Sequence, residues 1–172
     1  MENRNNKITG EQEKDIHEKN AEYLENSFSN ISESVQGNII NLRGWCESTF
    51  ADSSANPATA GGKYYENGEP LVDLEIPEGT TKIAAYAFWN CYTMNTLKVP
   101  TSVENAGEYA FYQCRLADIY WNARACEDLY KDNAVILLFD KTCVSSSAKI
   151  SLTIGPDVEI VPSYLFYEIY KG

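Results

Sequence analysis

The stretch Leu71-Val72-Asp73-Leu74-Glu75-Ile76-Pro77 decides the fold, because it returns. It continues through Ile83 to Tyr86-Ala87-Phe88 and Cys91. Twenty-three residues on, Met94-x-x-Leu97-x-Val99-Pro100 leads through Ala106 to Tyr109-Ala110-Phe111 and Cys114. A third copy opens at Leu116-x-x-Ile119-x-Trp121, one residue early. A fourth, after a longer stretch, reads Leu152-x-Ile154, then Val161, then Tyr164-Leu165-Phe166. Ile76 to Phe88, Val99 to Phe111 and Ile154 to Phe166 are each twelve residues apart.

A period of about 20–29 residues opening on L-x-x-L-x-L marks a leucine-rich-repeat solenoid. A single unit cannot bury Leu74 and Ile76; units stacked strand beside strand, about 4.8 Å apart, close a continuous core. Pro77 and Pro100 lack an N–H and belong where the ladder stops. Cys91 and Cys114 fall at one repeat position and are expected buried, reduced and in register. The expected architecture is a β-rich leucine-rich-repeat solenoid of about four stacked repeats. Its short parallel strands are joined by turns and 3-10 segments, and an N-terminal α-helix precedes it.

The pattern L-x-x-L-x-I-P followed by Y-A-F-x-x-C resembles the BspA-like (Treponema-type) leucine-rich repeat. Trp45-Cys46 through Ser54-Ala55-Asn56-Pro57 to Tyr65-x-Asn67-Gly68-Glu69 resembles a longer unit of that family. Trp121-Asn122-Ala123, Cys126 and Ile154-Gly155-Pro156-Asp157-Val158 resemble another. The resemblance covers roughly 45–168. Two departures stand out: Thr80-Thr81, where the family favours Val-Thr, and extra residues over Val144–Lys149, which leave the fourth register open. The resemblance implies microbial surface proteins that attach to proteins of a host or a neighbouring cell.

The first third is different in kind. Leu24, Phe28, Ile31 and Val35 step by four, three and four, a stripe on one helix face. Thr9 with Gln12 forms a capping box, and Lys14–Glu18 and Asp15–Lys19 are helix-spaced ion pairs. A helix is expected over roughly 10–36, ending near Gly37 and covering the first repeat. The domain reading is therefore a polar segment with an amphipathic helix over residues 1–38 and a repeat domain over 39–172.

The 172 residues carry 25 acidic and 14 basic side chains, a formal net charge of −11. Phosphate and anionic-lipid affinity rest on Lys and Arg, so nucleic-acid and basic-patch membrane binding are disfavoured. The longest apolar run, Ala134–Phe139, is six residues against the roughly twenty needed to span a bilayer. No secretory signal is legible at the start of the chain, and localisation stays open. Five cysteines form no C-x-x-C pair and the single histidine, His17, has no nucleophile beside it. Gly61-Gly62 is an isolated pair, Asp52, Asp140 and Asp157 lack calcium-loop spacing, and Asn30-Ile31-Ser32 is a formal sequon only. No catalytic, cofactor or metal residue is assigned.

Three functions are weighed: a non-enzymatic, adhesin-like protein-binding module, a structural fragment of a larger repeat protein, and a carbohydrate-active solenoid enzyme. The enzyme needs charged residues clustered across several turns. The outward strand positions are Asp73 and Glu75, Thr96 and Lys98, Asp118 and Tyr120, Ser151 and Thr153. They mix signs and types, and binding ranks first. Asp73, Glu75, Lys98, Asp118 and Tyr120 are the candidate partner-binding residues, with Tyr120 as anchor. The expected partner is a basic or amphipathic protein of unknown identity. The oligomeric state stays open, with a monomer as the default.

Overall fold

The computed structural model describes residues 37–56, 63–131, 134–139, 150–167 and 169, all within one compact unit, Gln36–Gly172. The expected helix over 10–36 lies outside the described residues, as do His17, Gly61-Gly62, Asp140 and Cys143.

The chain opens with β1 (Gly37–Ile39), α1 (Leu42–Glu47) and a 3-10 turn at Ser53–Ala55. Next come β2 (Tyr64–Glu66), β3 (Glu69–Pro70), β4 (Asp73–Glu75), β5 (Lys82–Ile83), β6 (Thr96–Val99) and β7 (Asn105–Ala106). The series ends with β8 (Asp118–Trp121), β9 (Tyr130–Lys131), β10 (Ala134–Val135) and β11 (Ser151–Ile154). The described part is strand-rich, with parallel sheets and little helix.

The repeat unit writes the main sheet. In each strand, outward polar residues alternate with Leu, Ile, Val or, in the third repeat, Trp121, so that only one side can be buried. The strands β4, β6, β8 and β11 lie side by side, all parallel, in the order β11-β8-β6-β4. Leu74 pairs with Leu97, Leu97 with Ile119, and Ile119 with Leu152. The register left open after Cys143 is thereby resolved: Ile154 pairs with Trp121, which pairs with Val99. The strands stop just before Pro77 and Pro100, which have no N–H to give. A second parallel ladder joins β5 to β7, Ile83 beside Ala106.

Behind the sheet, Phe88, Phe111, Phe139 and Phe166 form a column with successive centroids 5.5, 5.5 and 6.1 Å apart. Ala87 and Ala110, fully buried, leave room for it. Tyr86, Tyr109 and Tyr164 turn the chain into this bend at φ values of 61°, 56° and 63°. Non-glycine residues rarely take that left-handed conformation, and here it recurs at one repeat position.

At the N-terminal end, the Trp45 unit departs from a plain repeat. Asn41 caps α1 by accepting from Gly44 N–H at 2.9 Å. Asn67 (φ 51°) and Gly68 (φ 89°) make the tight turn between antiparallel β2 and β3. Leu42, Cys46 and Tyr64 are buried, and Trp45 Nε1 donates to Ala87 O at 2.8 Å.

Candidate functional site

Parallel pairing in perfect register turns the outward positions into two rows. One runs Asp73, Thr96, Asp118, Ser151; the other runs Glu75, Lys98, Tyr120, Thr153. All five candidate residues, Asp73, Glu75, Lys98, Asp118 and Tyr120, therefore share one face. Asp73, Glu75, Lys98 and Asp118 are exposed and Tyr120 is half-buried.

Three of the four charges are already engaged. Thr96 Oγ1 donates to Asp73 Oδ1 at 2.7 Å, and Lys98 Nζ sits 3.3 Å from Glu75 Oε2. Neutralising Lys98 with Glu75 leaves Asp73 and Asp118 as the face's net charge, which is acidic. Exposed pairs of this kind contribute at most about 1 kcal/mol, so they order side chains more than they stabilise the fold.

At the carboxyl ends of the strands the face dips into a cleft of about 200 Å³, bounded by Glu75, Glu78, Lys98, Pro100, Tyr120 and Asn122. Glu78, Thr101 and Asn122 extend the site beyond the residues expected from sequence. Thr101 Oγ1 donates to Glu78 Oε1 at 2.9 Å, and Asn122 Nδ2 to Asp157 Oδ2 at 3.0 Å. The cleft is formed where the prolines divert the chain from the ladder. That divergence is three-dimensional and leaves no mark on the strand alternation from which the other positions were read.

A second aromatic set lies on the flank of the repeats. Tyr86 and Tyr109 stand 5.8 Å apart, and Trp89 stacks on Tyr112 at 4.4 Å. Tyr86 and Tyr109, which share one repeat position, thus pack between adjacent repeats, and Tyr164 packs on Tyr167 at 5.4 Å.

The described cysteines, Cys46, Cys91, Cys114 and Cys126, are buried and reduced. Burial pushes the thiol pKa up to about 12 for Cys46 and about 11 for Cys91 and Cys126. These are inert, protonated core groups rather than nucleophiles. Among the described residues no group of three His, Cys, Asp or Glu side chains is placed to hold a metal ion. Nor is any helix among them long and apolar enough to cross a membrane.

Comparison with known proteins fits the repeat register. Residues 58–132 match the family model for the BspA type leucine rich repeat region (6 copies). Over this stretch the chain is similar to BspA-type leucine-rich repeats. The stretch holds β4, β6 and β8 and the buried Cys91 and Cys114. No curated protein and no solved structure matches the chain. Leucine-rich repeats of this family are generally non-enzymatic and suggest a protein-interaction module.

Proposed function

We propose that the chain is a non-enzymatic protein-binding module, an adhesin-like leucine-rich-repeat solenoid that meets its partner with the outward strand face. The observation that carries this reading is the register of β4, β6 and β8. It gathers Asp73, Glu75, Lys98, Asp118 and Tyr120 beside one cleft. A rigid ladder of short strands presents these side chains with little conformational entropy left to lose on binding. Tyr120 supplies aromatic contact area at the centre, and the flanking carboxylates steer the encounter. The face's acidic balance selects a basic or amphipathic protein partner, such as a surface or matrix protein.

The test is a pull-down by the full chain against purified basic surface and matrix proteins. The double variant Asp73→Lys, Tyr120→Ala should lose the partner that the wild-type chain recovers, and wild-type recovery should fall as salt rises. Equal recovery by both proteins would move the site off this face.

A further inference from the structure

The cleft at the carboxyl ends of β4, β6 and β8 is lined by residues that all fall in the continuous described stretch 63–131. At about 200 Å³ it is smaller than the roughly 300–1,000 Å³ of small-molecule sites, and it suits one side chain rather than a helix or a strand. Its carboxylates are held but not used up. Lys98 Nζ donates to Glu75 Oε2 at 3.3 Å, and Thr101 Oγ1 to Glu78 Oε1 at 2.9 Å. Among the described residues no further bond reaches Glu75 Oε1 or Glu78 Oε2. Two glutamates against one lysine leave a single negative charge at the cleft. Tyr120 lines it half-buried, and among the described residues its ring and hydroxyl make no contact of their own. The flank rings differ: Tyr86 packs on Tyr109, and Trp89 on Tyr112. Asn122 is a fixed wall, its Nδ2 donating to Asp157 Oδ2 at 3.0 Å and its Oδ1 accepting from Asp157 N–H at 3.1 Å.

We propose that this cleft takes an arginine side chain of the protein partner. An arginine there presupposes the strand-face function above and specifies what that face recognises. A guanidinium is flat and lies on the Tyr120 ring, while the N–H groups along its edge reach the open oxygens of Glu75 and Glu78. Its charge cancels the one left over at the cleft. A lysine ammonium is a compact, strongly hydrated point charge, and it cannot cover the ring and bridge two carboxylates at once. A partner carboxylate or phosphate is repelled by the same two glutamates. Lys98 then holds Glu75 in place rather than meeting the partner, and its own charge moderates the affinity of the cleft.

Titration of the full chain with a blocked peptide holding a single arginine, read from backbone amide shifts by NMR, decides the matter. The arginine peptide should move the amides of Glu75, Glu78, Tyr120 and Asn122 saturably. Peptides with lysine or citrulline in its place should bind at least about threefold more weakly. Glu78→Gln, an isosteric change at an exposed position, should weaken the arginine peptide about threefold to fivefold, and Tyr120→Leu by a similar factor. Lys98→Met removes the cleft's own cation and should tighten it. Glu104→Gln, exposed and outside the cleft, should leave it unchanged. No binding of the arginine peptide, equal binding of the lysine peptide, shifts centred elsewhere, or indifference to Glu78→Gln would overturn the proposal. If the arginine peptide fails while the Asp73→Lys, Tyr120→Ala chain still loses its protein partner, the arginine is refuted and the strand face stands. If that chain also keeps the partner, the face falls with it.

Discussion

Phe88 and Phe111 stack with their ring planes parallel, at an interplanar angle of 0° and centroids 5.5 Å apart. Twenty-three residues separate them, so the contact is the repeat itself made physical. The column continues to Phe139, tilted by 18° at 5.5 Å, and Tyr109 and Phe111 N–H donate to Leu137 O and Leu138 O. Phe139 is therefore the phenylalanine of the third repeat. Truncating it to Ala should cost about 3–5 kcal/mol, as for other buried phenylalanines, measured by chemical denaturation. A cost under about 1 kcal/mol would remove Phe139 from the column.

Thr80 occupies, one repeat earlier, the place of fully buried Val103. Its side chain is also fully buried, and among the described residues Oγ1 has no hydrogen-bond partner. A buried hydroxyl without a partner costs about 1–3 kcal/mol. Thr80→Val should raise the unfolding free energy by about 1 kcal/mol or more. A loss of stability would show that the hydroxyl is satisfied in solution.

Gly107 lies against the backbone of Ala84 and Ala85, at the step from β7 into the Tyr109 bend. A Cβ placed there would meet Ala85 N and the Ala84 carbonyl carbon. The backbone cannot yield as a flexible side chain would. Gly107→Ala should destabilise by about 1–3 kcal/mol or abolish folding, read from the denaturation midpoint. A neutral substitution would mean that the two repeats sit further apart than described.

The thiols of Cys46, Cys91 and Cys126 titrate near 12, 11 and 11 in the fold against an ordinary 9.0, because burial disfavours the thiolate. A pKa raised by folding means the folded chain holds protons that the unfolded chain has released. The associated stability is complete below about pH 9 and is lost as pH rises through 11–12. Unfolding free energy should thus fall from pH 9 upward, and Cys46→Ala should flatten that fall. A thiol reagent at pH 8 should leave Cys91 and Cys114 unlabelled until denaturant is added. Prompt labelling of the native chain would contradict their buried register.

The fold was legible where chemistry repeats. Alternation at Leu74 and Ile76, the prolines that end strands and the Tyr-Ala-Phe bend recur at fixed offsets, and the structure keeps each offset as a contact. Where one copy departs, legibility failed. Phe139 sits in an apolar run without the Tyr-Ala that marks the other bends, so spacing alone did not find it. Asn67-Gly68 lies inside a long unit of the repeat, although that dipeptide is itself a hairpin signal. Of the site, the five outward residues followed from strand alternation. Glu78 and Asn122 did not, because they follow the strands and reach the face only through the turn that the chain makes there.

The claim that the outward strand face binds a protein partner is tested most directly by charge reversal on two sides of one molecule. The pair Asp73→Lys with Asp118→Lys alters only that face, while Glu104→Lys with Glu127→Lys places the same charge on exposed positions outside it. Affinity of each full-length variant for an immobilised basic partner is then measured across a salt series. The first variant should bind at least about tenfold more weakly and lose most of its salt dependence, and the second should stay close to wild type. Equal weakening by both would mean that the partner reads the net charge of the chain and not its strand face.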